Sequence, residues 1–168
     1  EGKFHVWVMD PDGGNLRRLA DHTVPVTGPE WDSGRVAPRW SPDGKAIGYV
    51  AASDRGAALW VADRDGKNAR PRLYGLLYFD WYRGSRHVIY VRRGETGFTE
   101  MRAADLESGA EAVLLKAQAM ELQVAPDGRA VAYSHGVSHF SMNVHLLPLT
   151  ASGSSLPRVA GAPRQLTN

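Results

Sequence analysis

The chain has no cysteine among its 168 residues. That excludes disulfides and thiolate metal sites, and it leaves the redox compartment unreadable. No apolar run approaches the roughly 20 residues that a membrane-spanning helix needs, and no stretch has the layout of a signal peptide. There is no block of Lys and Arg either: 20 basic residues stand against 18 acidic ones, a formal charge of +2. A balance this even argues against a nucleic-acid partner. Helix-forming sequence is scarce, and only residues 110–120 have strong helix propensity.

What the chain has is turns and short alternating runs. Hydrophobic residues make up 43% and charged residues 23%, within the range of globular domains, and the length allows a real core. The organising stretch is Arg39-Trp40-Ser41-Pro42-Asp43-Gly44-Lys45-Ala46-Ile47-Gly48-Tyr49-Val50. Pro sets φ and Gly accepts positive φ, so Pro-Asp-Gly reads as a tight turn between two strands. The stretch returns as Val124-Ala125-Pro126-Asp127-Gly128-Arg129-Ala130-Val131-Ala132-Tyr133, and in worn form as Trp81-Tyr82-Arg83-Gly84-Ser85-Arg86-His87-Val88-Ile89-Tyr90-Val91.

The copies are evenly spaced. Trp40 to Trp81 is 41 positions and Trp81 to Val124 is 43; Tyr49, Tyr90 and Tyr133 repeat the same two intervals. A period in the low forties with four short strands per period is the mark of β-propeller blades. The expected fold is therefore all-β, a propeller of four-stranded antiparallel blades. It comprises three full blades plus an outer half-blade, that is, part of a propeller. The expected division is a half-blade at 1–20, a connection at 21–38, and blades at 39–75, 76–116 and 120–168. Over 110–120 the repeat places a strand and a blade-to-blade link and overrides helix propensity. A single blade cannot bury both faces, so neighbours stack and bury a core between them. Trp40, Ile47, Tyr49, Leu59 and Val61 are the expected filling, and Trp31, in the connection, is expected to cap a core.

These residues resemble the TolB-like, or PD40, β-propeller repeat family. Pro38-Arg39-Trp40-Ser41-Pro42-Asp43-Gly44, Val6-Trp7-Val8-Met9-Asp10-Pro11-Asp12-Gly13 and Arg164-Gln165-Leu166-Thr167 match its repeat outright. The unit at 124–133 has Val124 and Ala125 for Trp and Ser, and the unit at 81–91 lacks Pro-Asp. The resemblance implies a bacterial, periplasmic or otherwise extracytoplasmic scaffold without catalytic activity or cofactor, offering its channel face to a protein or peptide partner. It also implies an alternative: an accessory, gating propeller of a prolyl-oligopeptidase-type serine peptidase whose catalytic domain lies outside this chain. A third expectation is a sensor domain joined to a membrane or DNA-binding segment. Starting at Glu1 on an outer hairpin, the chain is expected to be a portion of a larger propeller, with a dimer closing one ring as the other explanation.

Candidate site residues follow from the blade. The innermost strand faces the channel, and its solvent-side positions are expected to alternate with Trp40, Trp81 and Val124. That selects Arg39, Asp80 and Gln123, and two residues earlier Tyr78 and Glu121. Asp10-x-Asp12-Gly13 and Asp63-x-Asp65-Gly66 echo the start of a calcium loop, but no Glu follows at the required spacing, so they read as structural turns and no metal is expected. His135 and His139, with His145 beyond, read as ordinary loop histidines. Gly136-Val137-Ser138-His139-Phe140 lacks the second Gly of a nucleophile elbow, and no catalytic residue is expected.

Overall fold

A computed structural model describes residues 5–19, 37–95, 97–138, 141–150 and 155–168, with the backbone alone at 137 and 138. Trp31, His139 and most of the 21–38 connection lie outside the described residues. Among these, every regular element is a strand. The chain divides into two compact units, residues 1–75 and 76–168.

The first unit holds a two-stranded sheet, β1 (Trp7–Val8) with β2 (Arg17–Arg18), and a four-stranded one. The latter runs in chain order through β3 (Arg39–Trp40), β4 (Ala46–Ser53), β5 (Gly56–Asp63) and β6 (Arg70–Tyr74), each strand antiparallel to the next. Ile47, Tyr49, Ala51 and Ala62 bury one face of this sheet together with Val6 and Leu19 beside the two-stranded one. Gly66 shows how close the approach is: a Cβ there would stand 2.7 Å from the Leu19 carbonyl oxygen, and its φ of +84° is one that glycine adopts freely.

The second unit repeats the meander twice. β7 (Leu76–Arg83), β8 (His87–Arg93), β9 (Thr99–Asp105) and β10 (Glu111–Ala117) form one sheet. The stretch with helix propensity thus holds β10, the link at residue 118 and the start of β11. β11 (Ala119–Val124), β12 (Ala130–Ser138) and β13 (Ser141–Thr150) form the other, and its outer edge is divided between β14 (Arg158–Val159) and β15 (Arg164–Gln165), both paired with β13. Between the two sheets lie Tyr78, Ile89, Val91, Met101, Ala103, Leu122, Val124, Val131, Tyr133 and Leu147. Ile89, Val91, Met101, Val131 and Leu147 are wholly buried, each worth roughly 1.5–3 kcal/mol of apolar transfer.

The turns explain why the repeat is written as it is. At Pro42-Asp43-Gly44, Ser41 Oγ accepts the Ala46 N–H at 2.9 Å and donates to Asp43 Oδ1 at 2.7 Å. The backbone closes around it, Ser41 N to Ala46 O and Gly44 N to Ser41 O. The copy at Pro126-Asp127-Gly128 makes the same two backbone bonds, Ala125 N to Ala130 O and Gly128 N to Ala125 O. Lacking the hydroxyl, it keeps only Asp127 Oδ1 accepting from Arg129 N, at 2.9 Å.

The Asp-x-Asp-Gly turns close on themselves. Asn15 and Asn68 sit at φ 51° and 55°, in the left-handed region that Asn tolerates better than most residues. Each turns its amide back to donate to the first Asp of its turn, Asn15 to Asp10 at 2.5 Å and Asn68 to Asp63 at 2.7 Å. Asp12 and Asp65 accept backbone N–H groups two residues on. These hydrogen bonds give both carboxylates of each turn a part in closing it.

One packing expectation fails. Trp40 is half exposed, at 50%, whereas Trp81 is 3% exposed. β3 is paired over two residues only, so its Trp stands at the end of a short ladder. β7 is paired over its whole length, and its Trp lies within the sheet. Leu59 is buried and Val61 half-buried.

Candidate functional site

The inner strands β7 and β11 carry four of the five expected site residues, and each strand is bulged. In β7 the register slips between Leu76 and Tyr78, and again between Trp81 and Arg83. In β11 it slips between Met120 and Leu122, leaving Glu121 as the extra residue. A bulge adds a residue on one strand and re-aims the side chains around it.

Tyr78 is a correction. It is 4% exposed and belongs to the core between the two sheets of the second unit, so it offers no channel-side surface. The premise of alternation between core and solvent fails on β7 because the strand is packed on both faces. Tyr78, Phe79, Trp81 and Tyr82 are all buried, and Phe79 and Trp81 meet edge-to-face with centroids 6.4 Å apart.

Asp80 is half-buried and serves as a strut. Its Oδ1 accepts the Trp81 N–H at 2.9 Å and its Oδ2 accepts the Val124 N–H of β11 at 2.8 Å. One carboxylate therefore links the inner strands of adjacent sheets. Arg83 adds a second link, donating to the Asp127 carbonyl at 3.1 Å.

Glu121 and Gln123 are exposed, while Leu122 and Val124 between and beside them are buried. Here the expected alternation holds. Glu121 has φ 31°, a left-handed backbone that costs a non-glycine residue of order 1–3 kcal/mol. Its carboxylate receives one long hydrogen bond, from Ser134 Oγ at 3.4 Å. The start of β11 is held by Thr99, whose Oγ1 lies 2.6 Å from the Ala117 carbonyl oxygen and accepts the Ala119 N–H at 2.8 Å. Arg39, in the first unit, is half-buried on β3.

Two features escaped the sequence reading. His135 lies in β12, not in a loop, and His145 lies in β13. β12 and β13 pair Tyr133 with His145 and His135 with Asn143, which brings the two imidazoles to 5.0 Å between centroids. Burial, and secondarily the neighbouring His135, holds His145 below the ordinary imidazole range. The second feature is Asp105, which ends β9. Arg86 grips it with Nε to Oδ1 at 2.9 Å and Nη2 to Oδ2 at 2.5 Å, and the Glu107 and Ser108 N–H groups add to it. This places its carboxyl well below the usual range, chiefly through Arg86. Burial also pushes the hydroxyls of Tyr49 and Tyr90 up to about 12. Asp105 is buried and closes a turn. Among the described residues no group of three His, Cys, Asp or Glu side chains is placed to hold a metal ion.

No family model matches the chain. A stretch of 66 residues, 39% of this chain and 13% of the other, is 33% identical to the Tol-Pal system protein TolB of Thioalkalivibrio sulfidiphilus (strain HL-EbGR7). The fold matches the crystal structure of TolB from Acinetobacter baumannii with a TM-score of 0.59 over 96% of this chain, at 15% identity. The repeats are TolB-like β-propeller blades. The same TolB-like meander matches the β-propeller domain of the Trilobed protease from Pyrococcus furiosus, with a TM-score of 0.56 over 77% of this chain, at 14% identity. This chain spans 48% of the Acinetobacter protein and 41% of the Pyrococcus domain. The TolB-like fold is thus all-β and made of four-stranded antiparallel blades. It is shared by proteins with different roles, and function has to be argued from the side chains.

Proposed function

We propose that the chain is a non-catalytic, extracytoplasmic propeller scaffold that binds a protein or peptide partner through the polar residues of its inner strands. The observation that carries this reading is the pair Glu121 and Gln123, exposed on a strand whose alternate residues are buried. Glu121 is held there at a strained φ with a single long hydrogen bond, so its carboxylate has lone pairs to offer. Asp80 serves the surface by aligning β7 with β11. The stretch shared with a protein of the Tol-Pal system supports a protein partner and a bacterial periplasmic setting. Among the described residues no helix is long and apolar enough to cross a membrane, and the charge balance does not favour nucleic acid.

The test is site-specific photo-crosslinking in the native host, in the full-length protein. A photoreactive residue at Gln123 should give discrete adducts, and one at Arg158 on the outer edge should not. Identical adduct patterns at the two positions would contradict the proposal.

The likeness to the propeller domain of a protease favours a second reading, in which the same blades gate access to a peptidase domain elsewhere in the polypeptide. Peptidase activity of the full-length protein that changes on substitution of Glu121 and Gln123 would select it.

A further inference from the structure

We propose that His135 and His145 form a binding site for a divalent transition-metal ion of the zinc type, distinct from the partner surface. The two side chains come from adjacent strands, on diagonal positions of one face of the β12–β13 pair. Diagonal neighbours on one face lie within reach of long and aromatic side chains. The separation has the right size for sharing an ion. A zinc ion bound by imidazole nitrogen at about 2.0–2.1 Å lies about 3.2 Å from the ring centroid, and tetrahedral ligation then sets two centroids about 5 Å apart. The observed separation is 5.0 Å, with the rings inclined at 74°, an angle that rotation about a metal–nitrogen bond accommodates.

One of the two rings is oriented by a backbone carbonyl. His135 Nδ1 lies 3.2 Å from the Gln118 carbonyl oxygen. A carbonyl can only accept, so Nδ1 donates here, and the tautomer that binds a metal would do so through Nε2. Metal-binding histidines are commonly oriented in this way, by a backbone carbonyl on the far nitrogen. The Tyr133 ring packs against both histidines, its centroid 5.6 Å from that of His145 and 6.4 Å from that of His135. Both histidines are half-buried, accessible to an ion yet confined. With two protein ligands, the remaining two positions of a tetrahedral ion go to water or to a donor from a bound molecule.

The experiment is a calorimetric titration of the full chain with zinc chloride, run on the wild type, His135→Gln and His145→Gln. The expected result is one ion per chain, bound at least tenfold more weakly by each variant. Equal binding by wild type and variants, or no binding by any of them at millimolar zinc, overturns the proposal. A parallel measurement on the wild type alone covers the case of a variant that does not fold. Zinc should move the imidazole nitrogen resonances of His135 and His145. Shifts confined to other histidines, such as His5 and His87, also overturn it.

Discussion

The Asp80 carboxylate accepts the backbone N–H of Val124, 44 residues later, at 2.8 Å. A residue selected as a ligand-binding group thus holds two inner strands in alignment. Val124 is 8% exposed, and removing its acceptor leaves a buried N–H unsatisfied. Asp80→Ala should therefore lower stability by about 1–3 kcal/mol. Asp80→Asn keeps one acceptor oxygen and should cost less than half of that. Urea denaturation of the three proteins checks the ranking.

The two Pro-Asp-Gly turns predict opposite effects from complementary substitutions. Ser41 is 3% exposed and its hydroxyl serves both Ala46 N and Asp43. Ser41→Ala should destabilise by about 1–2 kcal/mol, with the Ala46 N–H losing its side-chain acceptor. Ala125 occupies the same place in the same backbone loop, with Asp127 positioned as Asp43 is. Ala125→Ser should stabilise by up to about 1 kcal/mol. Paired thermal melts read both signs.

Stability should depend on acid through Asp105. The Arg86 guanidinium first, and the Glu107 and Ser108 N–H groups after it, hold this carboxyl below its ordinary value, which in the unfolded chain is about 3.9. A depressed native pKa means that the native state binds the proton less readily than the unfolded one. The contribution is therefore complete above the unfolded value and is lost as the pH falls through it towards the native value. Denaturation midpoints measured from about pH 6 down to about pH 2 should fall steeply below about pH 4. In Asp105→Asn that fall should be shallower, with lower stability at pH 6. Identical acid slopes would show that the Arg86 pair is not the cause.

Much of the architecture was legible because turn chemistry is local. Pro-Asp-Gly, Asp-x-Asp-Gly and the even intervals between Tyr49, Tyr90 and Tyr133 report strand ends directly, and those tyrosines are indeed buried. Faces were less legible. Alternation says that Tyr78 and Phe79 point opposite ways, but not that both faces of β7 are covered. A one-residue bulge changes which residues reach which face, and neither Leu77 nor Glu121 announces a bulge by its type. Trp40 matches the family pattern better than Trp81 does, yet it is the exposed one, because burial follows the extent of pairing and the neighbours rather than the motif. The His135–His145 pair was hidden for a different reason: the two are ten positions apart in sequence and meet only through the β12–β13 register.

The claim that Glu121 and Gln123 face a partner is tested most directly by reversing one charge beneath the crosslinker. With the photoreactive residue at Gln123, Glu121→Lys should reduce the discrete adduct at least tenfold while the thermal midpoint stays within a few degrees, since the side chain is exposed and the bulge is retained. An undiminished adduct from a correctly folded Glu121→Lys protein would contradict the account.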